Sequence, residues 1–319
     1  MMTERELVER LAAIGWKGSR AVLLGPGDDA AVLRGGFTIS TDIAVEGVHF
    51  RFDWVSAEEA GFRAGAAALS DLAAMGAVPL ALLVSLAVPG DADHVTALDL
   101  QRGVRCAGER VAVAIVGGDV SRSPGPVVLD VVVVGKATGY VSRAGAEPAQ
   151  HLWVSGSLGG ARAAVRAWSA GKAPDPAARI RFAAPPNRIA LGSALAGRGI
   201  ARSMIDLSDG LILDAGRIAA MSGARICIRP HRVPVDPCAG GDLNLALVGG
   251  EDYELMFTAN PGAEPSILDL GQELSVPLTR IGMVEAGTGV VLEDERGLRT
   301  DAGDAGFDHF ATPLPDGPR

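Results

Sequence analysis

The chain has 319 residues, 48% of them hydrophobic but only 4% aromatic, so alanine, valine and leucine must fill its cores. A formal net charge of −9 argues against a general nucleic-acid binder, but not against phosphate ligands, because divalent cations bridge carboxylates to phosphates. Three scattered cysteines, Cys106, Cys227 and Cys238, argue against a disulfide framework or structural zinc. The longest apolar run, residues 80–88, is far short of the ~20 residues of a membrane helix, and the acidic start (Glu4, Glu6, Glu9) is not a signal peptide. A cytoplasmic protein with no membrane or nucleic-acid partner is expected.

In chain order, residues 3–13 read as a helix capped by Thr3, with Glu6 completing a capping box. The turn Gly25-Pro26-Gly27-Asp28-Asp29 precedes a short apolar run, 30–33, and then a strand that starts Phe37-Thr38-Ile39 and is expected to stop on Ser40-Thr41-Asp42. Ser56 caps a helix over 57–75, with Phe62, Ala66, Leu69 and Leu72 at helical spacing. Asp71 lies near the C-terminal end of this helix, where a carboxylate opposes the helix dipole. Strands are predicted at 80–88 and 127–135, the second central in a sheet. Between them fall a helix at 93–109 and a strand at 111–116 that leads into Gly117-Gly118-Asp119.

The small, polar stretch 142–150 divides the chain into two domains, 1–145 and 146–319. Past it come a strand at 152–155, a glycine-rich turn at 156–160, a helix to about residue 170 and a proline-rich connection at 174–186. A helix at 187–197 leads to a strand at 203–205 that ends in Asp206-Leu207-Ser208-Asp209, and a helix follows over 209–221. Strands at 225–229 and 253–258 flank the loop Gly249-Gly250-Glu251-Asp252. A helix at 264–273 and strands at 279–284 and 289–293 complete the set, and residues 312–319 read as a disordered tail. The alternation of strand and helix predicts the α/β class.

Taken singly, each of Asp28, Asp29, Asp42, Asp71, Asp119, Asp206 and Asp209 reads as a turn or cap residue. Taken together, at apparent strand ends and beside glycines, they point to carboxylates gathered around magnesium, with hydroxyls from Ser40 and Thr41. No Walker A sequence and no GxGxxG after a strand occurs, so the turns at 25–27, 117–118 and 156–160 are weaker phosphate candidates. The last reads better as a tight strand–helix turn. His49 either meets a substrate phosphate or caps the turn after Gly47. Arg143, beside the boundary, either meets a nucleotide phosphate or is a surface arginine. Glu251, after a diglycine, is a candidate for a strained carboxylate aimed at a ligand.

The segments GPGDDAAVL (25–33), STDIAVEGVHF (40–50), SDLAAMGAVP (70–79), GGDVSR (117–122), SRAGAEP (142–148), IDLSDGL (205–211), GGEDYELMFT (249–258) and GFDHF (306–310) run through nearly the whole chain. Together they resemble the thiamine-monophosphate kinase family, within the superfamily of aminoimidazole ribonucleotide synthetase. The resemblance implies an ATP-dependent enzyme that phosphorylates thiamine monophosphate on its existing phosphate. It also implies a homodimer whose N-terminal α/β domains join strands in an inter-subunit barrel, each followed by a C-terminal α/β domain. By motif, Asp29, Ser40, Thr41, Asp42, Asp71, Asp119, Asp206 and Asp209 would hold magnesium ions. Gly118, Asp119, Arg143 and Ser208 would contact ATP. His49, Glu251 and Phe307 would bind the thiamine phosphate, Phe307 standing where relatives often have tyrosine or tryptophan.

No side-chain nucleophile is required, since the acceptor's phosphate oxygen can attack directly, with positioning and charge neutralisation by metal supplying the catalysis. Sister enzymes would use the same ATP site on other acceptors. Selenophosphate synthetase is disfavoured because the first cysteine is Cys106. A hydrogenase-type maturation scaffold is disfavoured because no cysteine follows Cys238. A non-catalytic nucleotide-binding module is the remaining alternative.

Overall fold

Two sheets, the first covered on one face by helices and the second on both, carry the chain; the computed structural model describes residues 4–90, 94–303 and 306. The cap residue Thr3, Phe307 and the 312–319 tail lie outside the described residues. After α1 (Glu4–Gly15), the first sheet takes β1 (Val22–Leu24), β2 (Ala31–Leu33), β3 (Phe37–Val45), β4 (Val78–Pro89), β5 (Ile115–Ser123) and β6 (Val128–Lys136), in the spatial order β1-β2-β3-β6-β4-β5. Its inner face is covered by α2 (Ala57–Ala74), and α3 (His94–Glu109) packs on α2. Ser56 closes a capping box with Glu59 at the start of α2. The two helices approach through glycine. A Cβ on Gly61 would lie 2.0 Å from the Leu100 carbonyl oxygen, and one on Gly103 would lie 2.0 Å from that of Glu58.

The second sheet comes from β7 (His151–Ser155), β8 (Ala201–Asp206), β9 (Arg225–Ile228), β10 (Leu255–Ala259), β11 (Leu278–Glu285), β12 (Gly289–Glu293) and β13 (Arg299–Asp301), ordered β13-β12-β9-β11-β7-β10-β8. Helices α4 (Gly160–Ser169), α5 (Pro176–Ala183), α6 (Ile189–Gly197), α7 (Leu211–Ser222), α8 (Leu243–Val248) and α9 (Glu264–Leu274) surround it. Among the described residues no strand is shared between the sheets, yet one buried cluster runs from Leu72 of α2 and Leu129 of β6 to Trp153 of β7, Phe182 of α5 and Phe257 of β10.

The expected α/β class holds, but strand–helix alternation does not yield parallel sheets. Only β4–β5 and β9–β12 pair in parallel; the other pairs are antiparallel. Two strand boundaries differ from expectation. β3 continues through Ser40, Thr41 and Asp42 to Val45, and β5 continues past Asp119 to Ser123. An apolar run reveals only strands buried on both sides, whereas β3 carries the polar Ser40-Thr41-Asp42 in its middle, with Thr38, Ser40 and Asp42 on one face. The predicted connection at 174–186 contains α5, started by Asp175, whose carboxylate accepts from Ala177 N at 2.8 Å, with Pro176 in the first turn.

Candidate active site

The acidic cluster is assembled from both halves of the chain. Asp29 stands in the turn between β1 and β2, Asp71 in the last turn of α2, and Asp206 at the end of β8. One carboxylate oxygen from each lies within 4.8 Å of the other two. Asp29 and Asp206 are buried and Asp71 is half-buried. Burial first, then the charges of Asp206, Asp42 and Asp29, holds Asp71 well above the usual carboxylate range. Burial and the Asp29 charge do the same to Asp206. The Ser40 hydroxyl donates to Asp71 Oδ2 at 2.5 Å, with the Asp29 carbonyl oxygen 3.0 Å away.

Asp29 Oδ1 accepts from Arg143 at 2.6 Å, while its Oδ2 is buried with no hydrogen-bond partner. A buried orphan oxygen, mutually repelling carboxylates and a hydroxyl within reach make the donor chemistry of a hard divalent cation, and these residues fit one. Asp28 stays just outside. Its carboxylate accepts from Arg143 N at 3.1 Å, and burial followed by the Asp29 charge pushes it up to about 6.

Beside the cluster, Asp42, His49, Phe50, Ala64, Arg63 and Tyr253 line a small pocket. His49 Nδ1 accepts from Val45 N at 3.1 Å, which is the turn-capping reading, and the residue also lines the pocket. Glu251 is left-handed, with φ 76°, a strained conformation for a side-chain-bearing residue. Its loop is pinned by Glu251 N donating to the Ser208 carbonyl and Tyr253 N to the Leu207 carbonyl, both at 2.8 Å. Gly250 cannot be replaced there, because a Cβ would lie 2.3 Å from the Ser208 oxygen. The Glu251 carboxylate forms an ion pair with Arg63.

Of the sequence-predicted metal set, Asp29, Asp71 and Asp206 converge, Ser40 joins them by its hydrogen bond, and Asp42 acts on Asp71 by its charge. Of the remaining three, Thr41 and Asp119 lie elsewhere and Asp209 is engaged by Arg217. Thr41 leaves the opposite face of β3, as period-two alternation requires, and its hydroxyl donates to Asp130 at 2.6 Å. Asp119 is exposed on the edge strand β5, three strands from β3, roughly 14 Å by strand spacing. It pairs with Ser85, between the buried Val84 and Leu86, so it too faces away from α2. Asp209 pairs with Arg217 at 2.6 Å, and its N–H donates to Asp214 Oδ2. Gly118, beside Asp119, is required by close approach, since a Cβ would lie 1.7 Å from the Val84 oxygen.

Ser208 lies on the tip after β8 and Arg143 is engaged with Asp28 and Asp29. The turn at 156–160 is occupied by a side chain of the protein itself, because Gly159 N donates to both oxygens of the buried Asp252 carboxyl group at 2.9 Å. Two residues escaped sequence reading. Arg63 is hidden in the alanine-rich face of α2, and Arg217 sits mid-helix in α7; a lone arginine in either pattern reads as a solvated face.

Residues 27–137 match the family described as AIR synthase related protein, N-terminal domain. Over most of its length the chain is similar to thiamine-monophosphate kinase of Escherichia coli O157:H7, at 36% identity over 92% of this chain and 93% of the relative. The crystal structure of thiamine-monophosphate kinase from Stenotrophomonas maltophilia K279a superposes with a TM-score of 0.75 at 34% identity, covering 90% of this chain and 95% of the other. AaThiL, solved in complex with AMPPCP and TMP, superposes with a TM-score of 0.82 at 29% identity, covering 97% of each chain.

Proposed function

The chain belongs to the thiamine-monophosphate kinase family, and on that premise we propose that it transfers the γ-phosphoryl group of ATP to the phosphate of thiamine monophosphate. The observation that carries the reading is the convergence of Asp29, Asp71 and Asp206 beside the pocket of Asp42, His49, Arg63 and Tyr253. An anion-poor pocket would bind one phosphate unaided. This one carries Asp42 in its wall and has the Asp29–Asp71–Asp206 cluster beside it, so it suits a polyanion accompanied by cations.

Magnesium, held by Asp29, Asp71 and Asp206 with Ser40 alongside, would neutralise the two phosphates as they approach. The chain's own residues do the rest. Arg143 lies where it can exchange Asp29 for a nucleotide phosphate, with Ser208 on the tip after β8, while Gly118 and Asp119, which the motif also assigns to ATP, stand apart on β5. His49 and Glu251 border the acceptor side. Burial excludes water from the Asp29–Asp206 side, which favours transfer to the acceptor over hydrolysis. Attack comes from the acceptor's own phosphate oxygen, so no side chain forms a covalent bond.

The proposal extends to a homodimer acting in the cytoplasm, with the division into domains 1–145 and 146–319. The face of the first sheet turned away from α2 exposes Phe37, Ile43 and Val78, at 43%, 52% and 55% of their surface, and also carries Val132 and Leu83 in register. Such a face on a monomer is a large apolar patch, and a second copy closing a barrel over it would cover it. Among the described residues no helix is long and apolar enough to cross a membrane. The test is substitution: Asp206→Asn in a folded protein should abolish formation of thiamine diphosphate, and full activity in that variant would refute the assignment.

A further inference from the structure

We propose that Arg63 is the positioning residue of the acceptor pocket, holding Glu251 in place so that the loss of Arg63 is felt by the acceptor and not by ATP. The inference rests on the kinase reading above.

Arg63 starts in α2 and reaches α5 and the loop before β10. Its side chain is only 5% exposed. One guanidinium nitrogen donates to the Phe182 carbonyl at 2.6 Å, another pairs with Glu251, and the group lies 4.0 Å over the Phe182 ring and 5.7 Å from that of Tyr253. Ala60, Ala64 and Ala67 line the same pocket as Arg63. A buried guanidinium is costly unless its donors are engaged. Here the engaged partners come from α5 and from the loop that precedes β10, so one side chain ties helix α2 to both.

The target of that tie is strained. Glu251 is left-handed, and its loop is anchored to the same Leu207–Ser208 tip that follows the metal-type Asp206. A carboxylate on such a backbone keeps its aim only while the surroundings hold it. Arg63 is the ion-pair partner of Glu251. Arg63 itself lines the pocket together with Asp42 and His49, and it supplies the positive charge of that wall. A planar fork can serve the Phe182 carbonyl and Glu251 from two separate nitrogens, whereas a lysine keeps the charge but concentrates its donors on one atom.

The experiment compares wild type, Arg63→Met, Arg63→Lys, Glu251→Gln and Arg63→Met with Glu251→Gln in full-length protein, measuring kcat, both KM values and Tm. Expected for Arg63→Met is a KM for thiamine monophosphate raised about ten-fold or more, with the KM for ATP changed less than about two-fold. Arg63→Lys should recover part of the loss. The double variant should be no worse than the poorer single variant, because both act through the same carboxylate. An unchanged acceptor KM, a parallel rise in both KM values that follows falling Tm, or single-variant effects that multiply in the double would overturn the inference. If Arg63→Met does not fold, the cycle of Arg63→Lys and Glu251→Gln decides by the same criteria. Wild-type protein that makes no thiamine diphosphate would instead overturn the kinase reading on which the inference depends.

Discussion

Removing one charge from the acidic cluster should make the metal-free protein more stable, although it removes a ligand. Consider Asp71→Asn. Carboxylate oxygens within 4.8 Å of one another repel by about 3.5 kcal/mol per fully charged pair at an effective dielectric of about 20. Proton uptake limits this, since burial and neighbouring charges already hold Asp71 well above the usual range, leaving a net relief of roughly 1–3 kcal/mol near pH 8. The amide oxygen of asparagine can still accept from Ser40, so no hydrogen bond is forfeited. At about 2 °C per kcal/mol for a chain of this size, the melting temperature in chelator should rise by roughly 2–6 °C.

Magnesium should then reverse the order. It stabilises wild type by binding the folded state alone, and loss of one carboxylate should weaken that binding on the order of ten-fold or more. Thermal unfolding at pH 8, with EDTA and with millimolar magnesium, measures both effects. An Asp71→Asn protein that melts lower than wild type in EDTA, or keeps the full magnesium shift, would show that the cluster is a structural network and not a cation site.

Other substitutions follow from the same geometry. Arg188→Met strips the partner from Glu254, which is buried and bound by Arg188 at 2.5 and 2.6 Å; a cost of about 3–5 kcal/mol is expected in calorimetry. Asp252 is held well above the usual range, mainly by burial, so its folded form keeps a proton that the unfolded form releases near pH 4. Its contribution is greatest below that pH and is lost as pH rises. Asp252→Asn should therefore flatten the fall in Tm between pH 5 and 8 relative to wild type; an unchanged slope would contradict the assignment. Ile43→Lys with Val132→Lys, on the outer face of the first sheet, should halve the mass measured by light scattering if that face joins two copies.

How much of this was legible in the sequence depended on which physical signal each residue leaves. Helix α2 was readable because a capping box and a periodic apolar face both report local structure. The convergence of Asp29, Asp71 and Asp206 was inferred from residue type, though nothing local says that a turn, a helix end and a strand end will meet. Reading Ser40, Thr41 and Asp42 as a strand tip hid the alternation that sends Thr41 to the other face, since β3 is polar on the side that meets the site. Asp119 was grouped with the cluster by motif, while register puts it on an edge strand facing away from α2. Arg63 left no trace at all: its role comes from a carbonyl in α5 and a carboxylate in a distant loop.

The most direct measurement is the reaction itself. Purified protein is incubated with ATP, magnesium and thiamine monophosphate, with free thiamine and an aminoimidazole-pathway substrate as competing acceptors, and products are separated by chromatography. The account predicts thiamine diphosphate from thiamine monophosphate alone, abolished by EDTA. Nucleotide binding without thiamine diphosphate, or transfer to one of the competing acceptors in its place, would contradict it.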